Sequence, residues 1–395
     1  MANRENIDRT IEAEDAPAPD SDRKPDSPPH LDKSSWRYGL TRAVQEFVSD
    51  RGTDLAAMLT YFTVLSLAPS LLVIFSLITL VLSSNASSVT TAVEDFVSAN
   101  VPDDYQSLVM DLVTSVSGSA SGGIIALIVG IATALWAASA YVKAFARSSN
   151  IIYEREEGRG FVKKTGTMLL TTLAMFVGAV LILVSIALNE TIVDGLLGPV
   201  AEPLGLTSVL NFLTSTFLPI WAWIKWPVIL ALVIVIIAVL YYFTPNVRMP
   251  KFKWVTIGSA VAILGIIVAA IALYFYFSSF ASYSSYGAIG SVMALLFALW
   301  IFNIMILLGL EIDAEVERAR QLQSGIEAED SIQLPPRDTK KVYKQREKQD
   351  ELIRDGRDLR ENAASERSGG ESTRSADLGG ANPADESRGG SRPAP

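Results

Sequence analysis

Side chains able to make and break bonds are scarce in this sequence, and that scarcity bounds its chemistry. The chain has one histidine, His30, and no cysteine in 395 residues. A serine activated by imidazole needs a histidine beside it, and His30 lies in a Pro/Asp/Ser-rich stretch. Without cysteine there are no disulfides, thiolate metal sites or thiol nucleophiles. A zinc hydrolase needs several His or carboxylate ligands at set spacing, and no such spacing occurs. The acidic pairs Asp103–Asp104 and Glu156–Glu157 fall in polar loops, where such pairs serve solubility. No GxxxxGK[ST] phosphate loop is present. The sequence therefore assigns no catalytic residue, metal ligand or cofactor-binding residue, and gives no sign of a nucleic-acid partner.

The polar groups that remain have to be placed by the elements around them. The stretch YFYFSSFASYSSYGAIGSVMALLFALWIFNIMILLGLEIDAEVERAR ends the apolar part of the chain. Residues 288–310 carry no formal charge, and Glu311, Asp313, Arg318 and Arg320 follow. Roughly 20 apolar residues at 1.5 Å each cross a hydrocarbon core. Similar runs at about 55–82, 122–142, 165–188, 227–243 and 254–277 give six transmembrane helices.

The 33 Lys/Arg and 42 Asp/Glu residues are segregated into the ends and loops. The expected fold class is all-α, a polytopic membrane protein of six transmembrane helices with short amphipathic interfacial helices and disordered tails. Residues 1–33 read as an acidic disordered tail, 34–320 as the membrane domain, and 321–395 as a charged, mostly disordered tail with a helical segment near 340–360. Between 36 and 50 the apolar residues Trp36, Leu40, Val44 and Phe47 recur at helical spacing among Arg37, Arg42 and Arg51. This helix either lies on the membrane surface or packs on the protein's own face. The polar segments at 83–121 and 189–210 contain no Lys or Arg.

Lys and Arg concentrate before span 1, between spans 2 and 3, between spans 4 and 5, and after span 6. That alternation places both termini on the cytoplasmic side, with the lipid bilayer as the partner. Trp221, Trp223, Trp226 and Trp254 fall at expected interfaces, where amphipathic rings anchor.

Pro69, in the middle of span 1, is expected to kink it, and Thr60, Thr63 and Ser66 precede it on one side of the helix. None of the six hydrocarbon stretches holds an ionisable side chain, which argues against a buried carboxylate relay. Asn303, deep in span 6, either bonds a neighbouring helix or lines a solute path. Glu311 and Asp313 either form a solvated helix end or pair with Arg318 or the loop between spans 2 and 3.

These residues resemble the YihY/BrkB family of bacterial inner-membrane proteins over about residues 40–318. Span 1 resembles the family's Ala-Ala-x-x-x-Tyr-aromatic…Ser-x-x-Pro pattern through Ala56, Ala57, Tyr61, Phe62, Ser66 and Pro69. The position before the proline, bulky in the family, is Ala68 here. The exit of span 2 matches through Trp136, Asn150, Tyr153 and Arg159. The turn between spans 4 and 5 matches through Pro245, Asn246 and Gly258, and the last signature through Tyr286, Gly287, Trp300, Gly309 and Glu311.

The resemblance implies six plasma-membrane helices with cytoplasmic ends. Members have carried a ribonuclease BN or a virulence-factor label. The missing histidines argue against a nuclease, and against an enzyme of any kind. The leading expectation is a transporter- or permease-like protein for a small solute. A midplane cavity between spans 1, 4 and 6 is expected, by loose parallel between Pro69 and Pro219/Pro227. The alternative is an envelope or scaffold protein that recruits partners through its loops or C-terminal tail.

Overall fold

A computed structural model describes residues 2–19, 31–81, 123–188, 207–249, 255–280 and 287–379, with isolated positions between 94 and 110 and at 193 and 205. Tyr286, Trp254 and most of the segments at 83–121 and 189–206, expected as amphipathic or polar connections, lie outside the described residues. The chain divides into two compact units, one covering 2–342 and the other the stretch from 343 onward. Among the described residues there is no strand, only one bridge pairing Val247 with Pro336.

The helices are α1 (Ala2–Glu12), α2 (Lys33–Ser49), α3 (Gly52–Val81), α4 (Gly123–Ile152), α5 (Phe161–Ala187), α6 (Thr207–Phe243), α7 (Ile257–Phe280), α8 (Gly287–Gln323) and α9 (Lys340–Gly379). By length and composition, α5, α6, α7 and α8 carry four candidate membrane spans. Their most apolar windows are only 17–28% buried within the protein. Side chains such as Leu170, Val177, Leu264, Val268 and Met293 are exposed. A water-soluble protein does not leave apolar faces of that extent bare, so this is a membrane protein. Helices α3 and α4, 30 residues each, stand where the first two spans are expected. The backbone of α3 runs helically through Pro69.

Three helices run past the expected spans. The 37-residue α8 is about 55 Å long at 1.5 Å per residue, well over a hydrocarbon core of about 30 Å. Its last third holds Glu311 to Arg320. Helix α4 continues to Ile152, ten residues past its expected end, carrying Lys143 and Arg147. Helix α6 begins twenty residues before the expected span, where the sequence reads as an interfacial lead-in. A π-turn at Leu213–Phe217 directly precedes Pro219. That wider turn lets the helix absorb a residue that lacks an N–H and crowds the preceding turn. Trp223 is 81% exposed and Trp226 63% exposed. Trp221 stacks on Phe217 and donates to the Ser185 carbonyl at 3.2 Å.

Helix α8 packs against α7, α2, α3 and α4, while α5 packs against α4 and α6. The α7–α8 contact is backbone-close. A Cβ on Gly309 would fall 2.7 Å from the Cβ of Ala262 and the hydroxyl of Tyr241, and closer still to the Gly258 carbonyl. Small residues allow such approach, which drives helix association where lipid removes the hydrophobic incentive. Helix α2 runs antiparallel beside the end of α8. Asp32 meets Gln323, Gly39 meets Glu315 and Ala319, and Arg42 meets Glu315. Of the two sequence readings of α2, packing on the protein's own face is the one seen. Leu40, Val44 and Val48 form the exposed stripe opposite.

Both tails contain packed segments. Ile7 and Ala13 are buried, and Thr10 accepts from the Glu156 N–H at 2.9 Å. After a Schellman turn at Gly325 (φ 72°), the chain folds back. Ile332 and Leu334 then enter the main core beside Leu307, Leu310, Phe145 and Tyr241.

Candidate functional site

Two polar zones and one cavity lie along α8, the first near its middle and the others around its last third. The first zone is a seam between α3, α4 and α8. Asn303, 4% exposed, donates to Thr60 Oγ1 at 3.2 Å and to its own helix at Leu299 O. It accepts from the Tyr141 hydroxyl at 3.1 Å. One turn on, Ser66 reaches the Ala138 carbonyl at 3.3 Å. The helix-joining role open to Asn303 in the sequence is thus realised, and two neighbouring helices supply its partners. Tyr61 is 60% exposed and its ring meets Phe62 edge-on.

The second zone is a charged layer where the ends of α4, α6 and α8 meet the beginnings of α3, α5 and α7. Arg318, fully buried, bonds Glu315 at 3.0 Å, Glu154 at 2.6 Å and the Ala328 carbonyl at 2.9 Å. Glu154 closes α4 with φ 53°, a left-handed position usually held by glycine. Its second oxygen accepts from the Ile332 N–H at 3.2 Å. Arg159 forms a fork on Glu157, with two contacts of 2.8 Å, and donates to the carbonyls of Phe243 and Thr244. Arg337 donates to the carbonyls of Tyr242 and Val247. Two cations therefore sit on the unpaired carbonyls at the end of α6, where the helix dipole favours them.

Burial would raise the Glu157 carboxyl, but Arg159 and then Lys164 hold it below its ordinary value. Burial pushes Arg155 down to about 10, against the pull of Glu154. Its guanidinium spends itself on the carbonyls of Ile332 and Leu334. Asn150 accepts from the Asn246 N–H at 2.7 Å, and Asn246 donates to the carbonyls of Glu156 and Asp338, both at 2.9 Å. With the buried Pro245 this fastens the turn after α6 onto the end of α4.

Helical spacing explains how the acidic exit of α8 is sorted. Glu311, Glu315 and Arg318 follow at i, i+4 and i+7 and face α2 and Glu154. Asp313 turns to α7 instead. It accepts from Thr256 Oγ1 at 2.5 Å and from the Gly258 N–H at 2.8 Å. Thr256 and Ser259 form a reciprocal capping box there, so Asp313 places a negative charge on the start of α7. Neither acid is the solvated helix end, and neither pairs with Arg318; Glu315 does. Glu311 is 1% exposed, and its Oε2 has no hydrogen-bond partner among the described residues.

Between the end of α6, the start of α7 and α8 lies a cavity of about 220 Å3. Tyr153, Tyr241, Thr256, Asp313 and Arg320 are among its walls. This is at the charged layer, away from the midplane position expected between spans 1, 4 and 6. No group of three or more His, Asp or Glu among the described residues is placed to hold a metal ion.

Of the candidate residues named from sequence, the charged layer brings together Asn150, Pro245, Asn246 and Glu311, and the seam holds Ser66 and Asn303. Gly309 belongs to the α7–α8 crossing, and Gly287 opens α8. The side chain of Pro69 and all of Tyr286 lie outside the described residues. Sequence reasoning missed Glu154, Glu315 and Arg337. The i+3 pair Glu315/Arg318 was the one signal that could have found part of this network.

The family described as virulence factor BrkB matches residues 43–332. This chain belongs to that family. The matched region begins within α2 and ends at Ile332, so it takes in the first part of the fold-back segment as well as the helices. A Bacillus subtilis (strain 168) protein named putative ribonuclease-like protein YfkH is 30% identical over 287 residues, covering 72% of this chain and 96% of the relative. No solved structure gives a significant match.

Proposed function

We propose that this BrkB-family chain is a six-span protein of the bacterial plasma membrane, with both ends in the cytoplasm, that carries a small solute as a permease. The observation that carries this reading is the cavity of about 220 Å3 at the charged layer. Its walls combine tyrosine rings and hydroxyls with two carboxylates, Asp313 and Glu317, and the Arg320 guanidinium, the mixed lining typical of small-ligand sites. The cavity and the Asn303 seam both abut α8. The Lys/Arg alternation supports the orientation, and it puts the cavity on the cytoplasmic side. The proposal includes no enzyme activity. The ribonuclease-like label belongs to the relative's name, and a nuclease here would need acid–base or metal groups that the sequence does not bring together.

An uptake screen in proteoliposomes tests the reading. The chain should accumulate at least one small solute, and Asp313→Asn and Tyr241→Phe should reduce that uptake while the protein stays folded. Absence of uptake across the screen, or uptake unchanged in both variants, would defeat it. The scaffold reading draws on a different feature, the exposed and highly charged part of α9 at 343–365. It requires that removal of this stretch abolish the cellular phenotype.

A further inference from the structure

Among the described residues, Glu311 is the one carboxylate of the charged layer that is buried without a hydrogen-bond partner for one of its oxygens. We propose that Glu311 is a proton-binding site, its proton held first by burial of an unpartnered carboxyl and then by the neighbouring acids Asp50, Glu315 and Glu46. The inference stands independently of solute transport.

The charged groups acting on Glu311 come from two elements. Helix α2 and its end supply Glu46 and Asp50, and α8 supplies Glu315 and Arg318. Both guanidinium groups in reach are occupied. Arg318 is bound to Glu315 and Glu154, and Arg42 lies on Glu46 at 3.0 Å and on Glu315 at 3.4 Å. From α4, Glu154 faces Arg318, and Asp313 is turned to the start of α7. Negative charge is therefore in excess around Glu311. A buried carboxylate in such surroundings is neutralised more cheaply by a proton than by remaining charged. A metal ion is the other neutraliser, but no described group of three ligands is placed to hold one.

Asp50 behaves in the same sense. Burial first, then Glu46, Glu154 and Glu315, push it from 3.8 up to about 7. A group raised in the folded state contributes stability that is full below its unfolded value and is lost as pH rises through the folded one. The contribution of Asp50 to the stability of the folded chain should accordingly be lost between pH 3.8 and about 7.

Infrared spectroscopy of the full chain in nanodiscs tests the proposal. A protonated-carboxyl stretching band should be present at neutral pH, lose its larger part in Glu311→Gln with only the Asp50 share left, and persist in full in Glu317→Gln, whose native carboxylate is paired with Arg320. Glutamine copies the shape of the protonated acid, so the variant should fold and should flatten the loss of thermal stability with rising pH. If Glu311→Gln does not fold, Asp50→Asn must move loss of the band to lower pH, because it removes a neighbouring negative charge. No band at neutral pH, a band untouched by Glu311→Gln, or a band unmoved by Asp50→Asn would overturn the assignment. So would stabilisation of the native chain, but not of Glu311→Gln, by sodium or calcium at fixed pH.

Discussion

Arg318 shows how much a single residue holds in place. Its guanidinium joins α8 to Glu154 at the end of α4 and to the Ala328 carbonyl of the fold-back segment. Arg318→Met would leave Glu154 and Glu315 as uncompensated charges in a buried layer. Breaking a buried pair by removing one partner costs about 3–5 kcal/mol. The thermal midpoint in detergent should therefore fall steeply. Adding Glu154→Gln and Glu315→Gln should recover most of the loss, since replacing a whole buried ionic group is far less costly than splitting it. If the triple variant is no more stable than Arg318→Met, geometry and not unpaired charge is what the arginine supplies. At this scale the sequence was legible for types and faces but not for pairings. The charge-free core and the membership of Asn303 in it follow from composition. The i+3 pair of Glu315 with Arg318 is within reach of helical spacing, but the pairing of Arg318 with Glu154 is not, because it depends on the end of α4 lying against that face of α8.

Among elements, the α7–α8 crossing depends most on residues that lack side chains. Gly258, Ala262 and Gly265 on α7 meet Met305 and Gly309 on α8. A Cβ on Gly265 would come within 2.6 Å of the Met305 sulfur, and one on Gly258 within 2.7 Å of the Asp313 carboxylate carbon. At Gly258 and Gly309 the nearest clashes are with backbone carbonyls, which cannot yield, and only the Met305 side chain facing Gly265 is a flexible tip. Gly309→Val should cost at least the roughly 1–3 kcal/mol typical of overpacking and should disturb the Asp313 cap on α7. Gly166→Ala, in α5 with nothing within 4 Å of the new atom, serves as the control. It should be neutral or gain about 0.5–1 kcal/mol, as helical glycine replaced by alanine does. Equal effects at both positions would show that helix propensity, not close approach, decides them. The positions of the apolar runs were legible because hydrophobic length is a strong signal. Helix ends were not. The polar extension of α8 and the proline-bearing lead-in of α6 continue as helix because neighbours satisfy them: α2 along the former, and a π-turn ahead of Pro219 in the latter.

On the scale of the whole unit, the stretch that composition assigns to a tail is split by its packing. Residues up to 342 belong to the first compact unit, and the second begins at 343. Ile332, 0% exposed, and Leu334, 1% exposed, fill the main core, and Arg337 sits on the end of α6. Composition hides this because the anchors are few and scattered among Glu327, Glu329, Asp330, Pro335 and Pro336. Burying an aliphatic side chain of this size contributes about 1.5–3 kcal/mol. A chain ending at 325 should therefore lose about 3–6 kcal/mol from these two residues alone, before the loss of the carbonyls that hold Arg155 and Arg318. A chain ending at 342 keeps all of these core residues and should unfold much closer to the temperature of the full protein. This difference decides how the scaffold reading is tested. Deletion from 325 would abolish function under either reading, simply by unfolding the charged layer. Deletion from 343 removes only the exposed stretch. If it abolishes the cellular phenotype while uptake in proteoliposomes persists, the tail recruits partners for a working permease. If both survive, recruitment through this tail is excluded.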